Sequence, residues 1–479
     1  MRGSRGPLVL AGWLPPITAL AVLSLSFGGV TQRGFLLVAI LMSLALPLSL
    51  KAAQGRLDLF EPLVFASLSL AVMFLGRPLA DLATGGFNHF GYNVLSSFDE
   101  TLSVALIGIV AFECGYASPV SRIWARHLPR PAMFRAARIA VVAWVYALLG
   151  AFLFWLFLAQ YGGFRLLPAL LRGRAASDNA LFLGSTGYLY NGILLWGATV
   201  LLFLAVATVA RRRRYYVWFL AFLLPLLIFY GARGTRSELL PLVTAIPTFW
   251  YLSSGRRPRL RTVAVVLLVG FSLLGWLGAI RTAGERGDVY VKLETALSSP
   301  FRGASDILTG ADADMFDSLA NELVVVPEKL PFQHGATITD VAIRAIPRPL
   351  WRDKPLESND AVVNALWPAH YLQSRASPAF SLMGPFYADS GVLAVAIGMF
   401  LTGAALGALW IWFCSHQGSV TAQVIYAMSL PFVVLLMRGT IPDTLSRALF
   451  LIVPLVLIHA ITRIRLVRSG QHIATDRNA

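Results

Sequence analysis

Apolar runs long enough to cross a bilayer recur along almost the whole of this chain, and such runs leave the backbone few choices. In hydrocarbon every unpaired N–H or C=O is costly, so only helices or a closed barrel can span it. A spanning helix takes about 20 residues and a barrel strand about 10. Twelve runs approach or exceed the helical length, near residues 7–28, 34–50, 60–79, 100–117, 138–160, 187–210, 215–231, 237–253, 262–280, 385–413, 420–437 and 445–462. A composition of 57% hydrophobic and 13% charged residues, with mean hydropathy +0.68, lies outside the range of soluble globular domains. We therefore expect an all-α polytopic membrane protein with about 12 transmembrane helices. Residues 1–280 would hold the first nine, 281–384 one large loop, 385–463 the last three, and 464–479 a cytoplasmic tail. Arg2 and Arg5 ahead of the first run resemble a signal peptide, but no convincing small-residue cleavage site follows. That run reads as a retained helix.

Arginine placement sets an expected orientation. With the N-terminus inside, the inner connections hold Lys51 and Arg56, then Arg122, Arg126, Arg130, Arg135 and Arg138, then Arg211 to Arg214. Arg256, Arg257, Arg259 and Arg261 follow, and Arg463, Arg465 and Arg468 come last. Both termini are expected in the cytoplasm and the 281–384 loop outside. The formal charge of +16 invites a nucleic-acid reading. Yet Arg211 to Arg214 lie between two apolar segments and read as a topological anchor, so no nucleic acid is expected as a partner. Cys114 and Cys414 fall near inner helix ends and suggest neither a disulfide nor a metal site.

Against this trend, some arginines fall at predicted outer helix ends. Tyr215 to Tyr230 and Ser237 to Ser253 are short spans of about 16 residues, roughly 24 Å as helix, so the Arg233-Gly-Thr-Arg236 turn is drawn to the membrane edge. Thr235-Arg-Ser-Glu238 fits a capping box, which accounts for Glu238 structurally. The same helix start, with its free amides and two guanidinium forks, suits a pyrophosphate. Snorkelling to lipid headgroups is the plainer alternative. Arg281, Arg438 and Arg447 are also expected at outer ends.

Three further stretches carry chemistry. Ile346-Pro-Arg348-Pro-Leu-Trp351-Arg352-Asp-Lys354-Pro355 is stiffened by its prolines and presents three cations around an aromatic ring, a surface for an anion or a sugar. Gly384-Pro-Phe-Tyr387-Ala-Asp389-Ser390-Gly391 opens the tenth run with polar groups, placing Asp389 about one turn inside a membrane helix. Asp312-Ala-Asp314 matches a metal-holding Asp-x-Asp pattern but reads better as the acidic surface of a solvated helix. His334 and His370 are the histidines of the large loop and candidate bases near neutral pH.

On the Arg233–Arg236 turn, the single large loop, the Pro-Arg-x-x-Trp-x-x-Lys-Pro string, the Gly384 to Gly391 segment and Arg438-Gly439, the chain resembles the O-antigen or oligosaccharide repeat-unit polymerases (Wzy-type) of the bacterial cytoplasmic membrane. Pro385 and Asp389 depart from that family's Gly-Glu-x-Tyr-x-Asn-x-Gly pattern. The resemblance implies a type C glycosyltransferase-like membrane domain whose outer loop forms a small helical cap. It implies transfer of a growing glycan from undecaprenyl pyrophosphate to the non-reducing end of a new lipid-linked repeat unit. Arg233, Arg236, Arg281, Arg348, Arg352, Lys354 and Arg438 would then hold pyrophosphate, and Trp351 and Tyr387 the glycan. Asp389, His334 and Asp340, in that order, are the candidate bases. No cofactor is implied, and a divalent metal is optional. The partners are lipid-linked oligosaccharides and membrane lipids, with a chain-length regulator and a flippase as the proteins such a family would bring. An O-antigen ligase-like transferase and, in another class, a lipid-linked oligosaccharide flippase are the rivals. A flippase would need charge through the middle of the spans, where this chain has little.

Overall fold

The computed structural model describes residues 32–167, 170, 186–233, 236–259, 261–262, 313–344, 346, 351, 353, 355, 357–368 and 380–457. Among them the chain runs through α1 (Gln32–Ala53), α2 (Pro62–Thr84), a hairpin of β1 (Asn88–His89) and β2 (Tyr92–Asn93), α3 (Phe98–Ala117) and α4 (Pro119–His127). It continues through α5 (Ala136–Gln160), α6 (Leu189–Ala210), α7 (Arg213–Ala232), α8 (Arg236–Ser253), α9 (Met315–Val325), α10 (Ala336–Arg344) and α11 (Ser358–Leu366). It closes with α12 (Met383–Ser415), α13 (Val420–Met437) and α14 (Ile441–Leu451). Eight of these, α1 to α3, α5 to α7, α12 and α13, are long and apolar enough to cross a membrane. Apart from the short hairpin the described elements are helices, and the chain is a membrane protein of the all-α class.

These eight coincide with the expected runs two to seven, ten and eleven. The eighth run is helical as α8, but Arg236, Glu238, Pro241 and Pro247 make it less apolar than the eight. The first and ninth runs lie outside the described residues. The twelfth begins earlier than expected, at Ile441, with Asp443 in its first turn.

The described residues within Met1–His127, Phe301–Ile411 and Val433–Thr444 form one compact unit, and those within Leu128–Pro300, Trp412–Phe432 and Leu445–Ala479 a second. Each unit thus gathers stretches far apart in the chain. In the first, α3 and α12 cross so closely that backbone meets backbone. A Cβ on Gly115 would stand 1.9 Å from the Phe400 carbonyl oxygen, and one on Gly403 would stand 2.0 Å from that of Phe112. Small residues at membrane helix crossings allow this approach. At one end of the unit, Glu61 is buried and accepts from Tyr116 Oη (2.8 Å) while pairing with Lys51.

The other end is polar for a local reason. Pro78 has no N–H to return to the preceding turn, and α2 widens into a π-helical turn over Val72–Gly76 directly before it. The Arg77 amide bonds the Val72 carbonyl, so the Arg77 side chain emerges at an irregular turn. Helix α9, from the 281–384 stretch, is fixed against this end by Phe316, whose ring meets Phe98 (4.8 Å between centroids) and Phe74 (6.5 Å) edge-on. Ser97 Oγ donates to the Ala320 carbonyl at 2.8 Å.

In the second unit, α5, α6 and α7 pack through Trp144, Phe203, Trp218 and Phe222. The Tyr146 hydroxyl donates to the Pro454 carbonyl at 2.8 Å.

Candidate functional site

In the first unit six polar side chains converge where α2, the hairpin and α9 meet: Arg77, Asp81, His89, Asp314, Asp317 and Asn321. Asp314, Asp317 and Asn321 follow the three- and four-residue spacing of one helix face. Arg77 Nε pairs with Asp81 (3.1 Å), Nη1 with Asp314 Oδ1 (3.3 Å) and Nη2 with Asp317 Oδ2 (2.6 Å). His89 Nε2 lies 3.3 Å from Asp314 Oδ2, and Asn321 Nδ2 donates to His89 Nδ1 at 2.9 Å. All six residues are buried, Asn321 completely. Three carboxylates thus surround one guanidinium away from water. Burial, and then the neighbouring Asp81 charge, push the Asp317 carboxyl up to about 8. Such a cluster can store a proton or hold a cation.

This corrects the reading of Asp314 as part of a solvated acidic surface. Asp314 is 6% exposed and Asp317 1%. The face is buried because Arg77, at the end of a membrane helix, meets it with countercharge.

A second carboxyl on α9, Glu322, is 1% exposed, with Oε2 unbonded. Gly384 leaves it room, since a Cβ there would stand 2.5 Å from Oε2. Burial raises this carboxyl from 4.5 to about 8. A raised folded-state value favours the protonated form, so its contribution to stability is complete below pH 4.5 and lost as pH rises through about 8. Thermal unfolding of the detergent-solubilised protein should show Tm falling across that window, less steeply in Glu322→Gln. Asp317 keeps the slope from vanishing. An unchanged slope in the variant would mean that Glu322 is not desolvated.

The expected catalytic residues gather elsewhere in the same unit. Helix α12 breaks at Ser390 and Gly391, the latter at φ 68°, ψ −154°, a conformation essentially confined to glycine. Asp389 therefore sits at the break rather than one turn inside a membrane helix, and the long apolar part begins at Val392. Its backbone carbonyl accepts from the His334 amide (2.9 Å), and its Oδ1 from the Gly335 (2.6 Å) and Thr337 (3.4 Å) amides. These bonds hold His334 at φ 34° and Gly335 at φ 89°, a left-handed pair that is uncommon at a histidine. The His334 side chain is exposed, with Nδ1 3.5 Å from Ser390 Oγ. Asp340 is buried and accepts the Ser358 amide (2.7 Å) and hydroxyl, anchoring the start of α11. Tyr387 is buried edge-on to Phe332 at 6.4 Å. Trp351 is exposed, and Arg438 is half-buried at the end of α13.

In the second unit Arg233 follows the last residue of α7 and is 2% exposed. Its Nη1 donates to the Leu170 carbonyl (3.2 Å), and its guanidinium lies 5.3 Å from the Tyr190 ring centroid and 5.8 Å from that of Phe229. A cation at a helix C-terminus is favoured by the helix dipole. Glu238 accepts from Ser237 Oγ (2.8 Å) and lies 3.8 Å from Arg447 Nε. Thr235, Arg281, Asp312, Arg348, Arg352, Lys354 and His370, and the side chain of Arg236, lie outside the described residues.

No family model, curated protein or solved structure matches the chain.

Sequence reasoning missed Arg77, Asp81, His89, Asp317 and Asn321. The signal was present in part. Arg77 and Asp81 stand four apart at the end of an apolar run, and Asp314, Asp317 and Asn321 keep helical spacing. His89 carries no such mark, because a two-residue hairpin brings it into place.

Proposed function

We propose that the protein polymerises lipid-linked oligosaccharide repeat units. The growing glycan would leave undecaprenyl pyrophosphate for the non-reducing end of a new lipid-linked unit, at the outer face of the bacterial cytoplasmic membrane. The observation that carries this reading is the meeting of α9 with the ends of α2 and α3. Titratable groups from the 281–384 stretch come together there with the ends of helices of membrane-crossing length. A reaction between two lipid-anchored sugars needs its acid–base groups at that level. Arginine placement assigns this end to the outer side, as it does the Arg233–Arg236 turn.

In this reading Arg236, Arg281, Arg348, Arg352, Lys354 and Arg438 neutralise the departing pyrophosphate, while Trp351 contacts sugar; Arg233 and Tyr387, both buried, support the surrounding helix ends instead. Among the base candidates the exposed His334 comes ahead of Asp389 and Asp340, whose carboxylates already accept backbone amides. Asp389 serves as the positioning residue that holds the His334 loop. Twelve spans, a helical cap and cytoplasmic termini complete the proposed topology.

Arg236→Ala and Arg348→Ala should each abolish long-chain product while the protein still inserts in the membrane. Normal chain-length ladders from both variants on a polysaccharide gel would refute the pyrophosphate site. Mass spectrometry of the lipid-linked species in a deletion strain separates the rivals. Single repeats mark a polymerase, and long chains stranded on the carrier mark a ligase.

A further inference from the structure

We propose that His89, Asp314 and Asp317 form a binding site for one divalent cation of the manganese type, with Asn321 as the outer partner of the histidine. One nitrogen or oxygen from each of the three lies within 4.8 Å of the others. Ligands about 2.0–2.2 Å from a common metal stand roughly 3–4 Å apart, so donors at the 4.8 Å limit need to close by about 1–2 Å to share an ion. The donors come from two elements already locked together, the hairpin and α9, so the site is formed by the fold rather than by a mobile tail.

Charge and unmet bonding point to the same occupant. With all three carboxyls ionised, as metal binding requires, Arg77 offsets one of the negative charges of Asp81, Asp314 and Asp317, and desolvation makes the remainder costly. Asn321 Oδ1, His89 Nε2 and both Asp317 oxygens are buried without a hydrogen bond, although Arg77 pairs electrostatically with Asp317 and His89 Nε2 lies 3.3 Å from Asp314 Oδ2. A half-turn of the Asn321 carboxamide would let Oδ1 accept from His89 Nδ1–H. The lone pair of His89 Nε2 would then face Asp314 and Asp317, the arrangement in which a second-shell carbonyl orients a metal-binding imidazole. Two carboxylates with one imidazole form a mostly hard donor set that fits Mn²⁺ better than the thiolate-loving metals. A divalent ion would neutralise the two charges that Arg77 leaves. The proposal uses the same meeting of α9 with α2 that supports the glycan-transfer reading but does not require that reading, and its test uses no glycan.

The test takes the full-length protein in lipid nanodiscs, stripped with chelator and titrated with Mn²⁺ by electron paramagnetic resonance. One tightly bound equivalent is expected, with imidazole nitrogen coupling in the pulsed spectrum and a rise in Tm on binding. His89→Gln should lose the nitrogen coupling, and Asn321→Ala should weaken binding ~10–100-fold, as loss of an outer-shell partner does. Absence of stoichiometric binding or of nitrogen coupling in the folded wild type would overturn the site, as would coupling that survives in His89→Gln. If His89→Gln yields no folded protein, unchanged affinity in Asn321→Ala overturns it equally.

Discussion

Arg77→Met should be among the most damaging single substitutions in the protein, lowering stability by about 3–5 kcal/mol, the usual penalty for removing one partner from a buried ion pair. One guanidinium pairs with Asp81, Asp314 and Asp317 at 2.6–3.3 Å, and none of the four side chains is more than 11% exposed. Without it three carboxylates would share a space that water does not reach. The measurement is Tm in detergent, in the presence of chelator so that no added cation substitutes for the lost charge. Arg77→Lys should recover only part of the loss, because one ammonium cannot reach three acids through separate nitrogens. Asp317→Asn placed in the Arg77→Met background should regain stability, whereas alone it should not, since the two residues are coupled. Strictly additive effects in that cycle would refute the ion-pair account.

Gly403→Leu should be comparably severe for a steric reason. The added Cβ alone would stand 2.0 Å from the Phe112 carbonyl oxygen, a backbone atom that cannot rotate away. Either α12 separates from α3, exposing both buried faces, or the helices bend. Overpacking of ordinary cores costs about 1–3 kcal/mol, and a clash with main chain falls at or above the top of that range. Gly115→Ala meets the Phe400 carbonyl at 1.9 Å and should behave alike. Gly418→Ala is the control, because nothing lies within 4 Å of its new Cβ. Size-exclusion profiles and Tm should separate Gly403→Leu and Gly115→Ala sharply from Gly418→Ala. A Gly403→Leu protein as stable as the control would mean that α3 and α12 do not cross at this distance.

Helix positions were legible because bilayer length and backbone satisfaction act locally. Eight expected runs reappear as helices with boundaries shifted by a few residues, such as 138–160 against Ala136–Gln160. The break in α12 was not legible. A run with Gly391 in it remains apolar, and it is bonds from Gln333, His334, Gly335 and Thr337 to Ala388 and Asp389 that hold the chain in its nonhelical turn. That Arg233 ends a helix was legible, but its packing against Tyr190 and Phe229 depends on an aromatic from another helix.

The cluster around Arg77 separates the two kinds of information most clearly. That α2 is apolar, that it carries an arginine near its end, and that Asp314, Asp317 and Asn321 share a helix face all follow from composition and period. Periodicity alone cannot say whether such a polar face meets water or protein, since both solutions hydrogen-bond it. Phe316 wedged against Phe98 and Phe74 turns the face inward, and contact with Arg77 makes its burial tolerable. Local chemistry therefore determined the membrane helices, while long-range packing decided which charges lie together, because opposite charges hundreds of residues apart leave no mark on each other's neighbourhood.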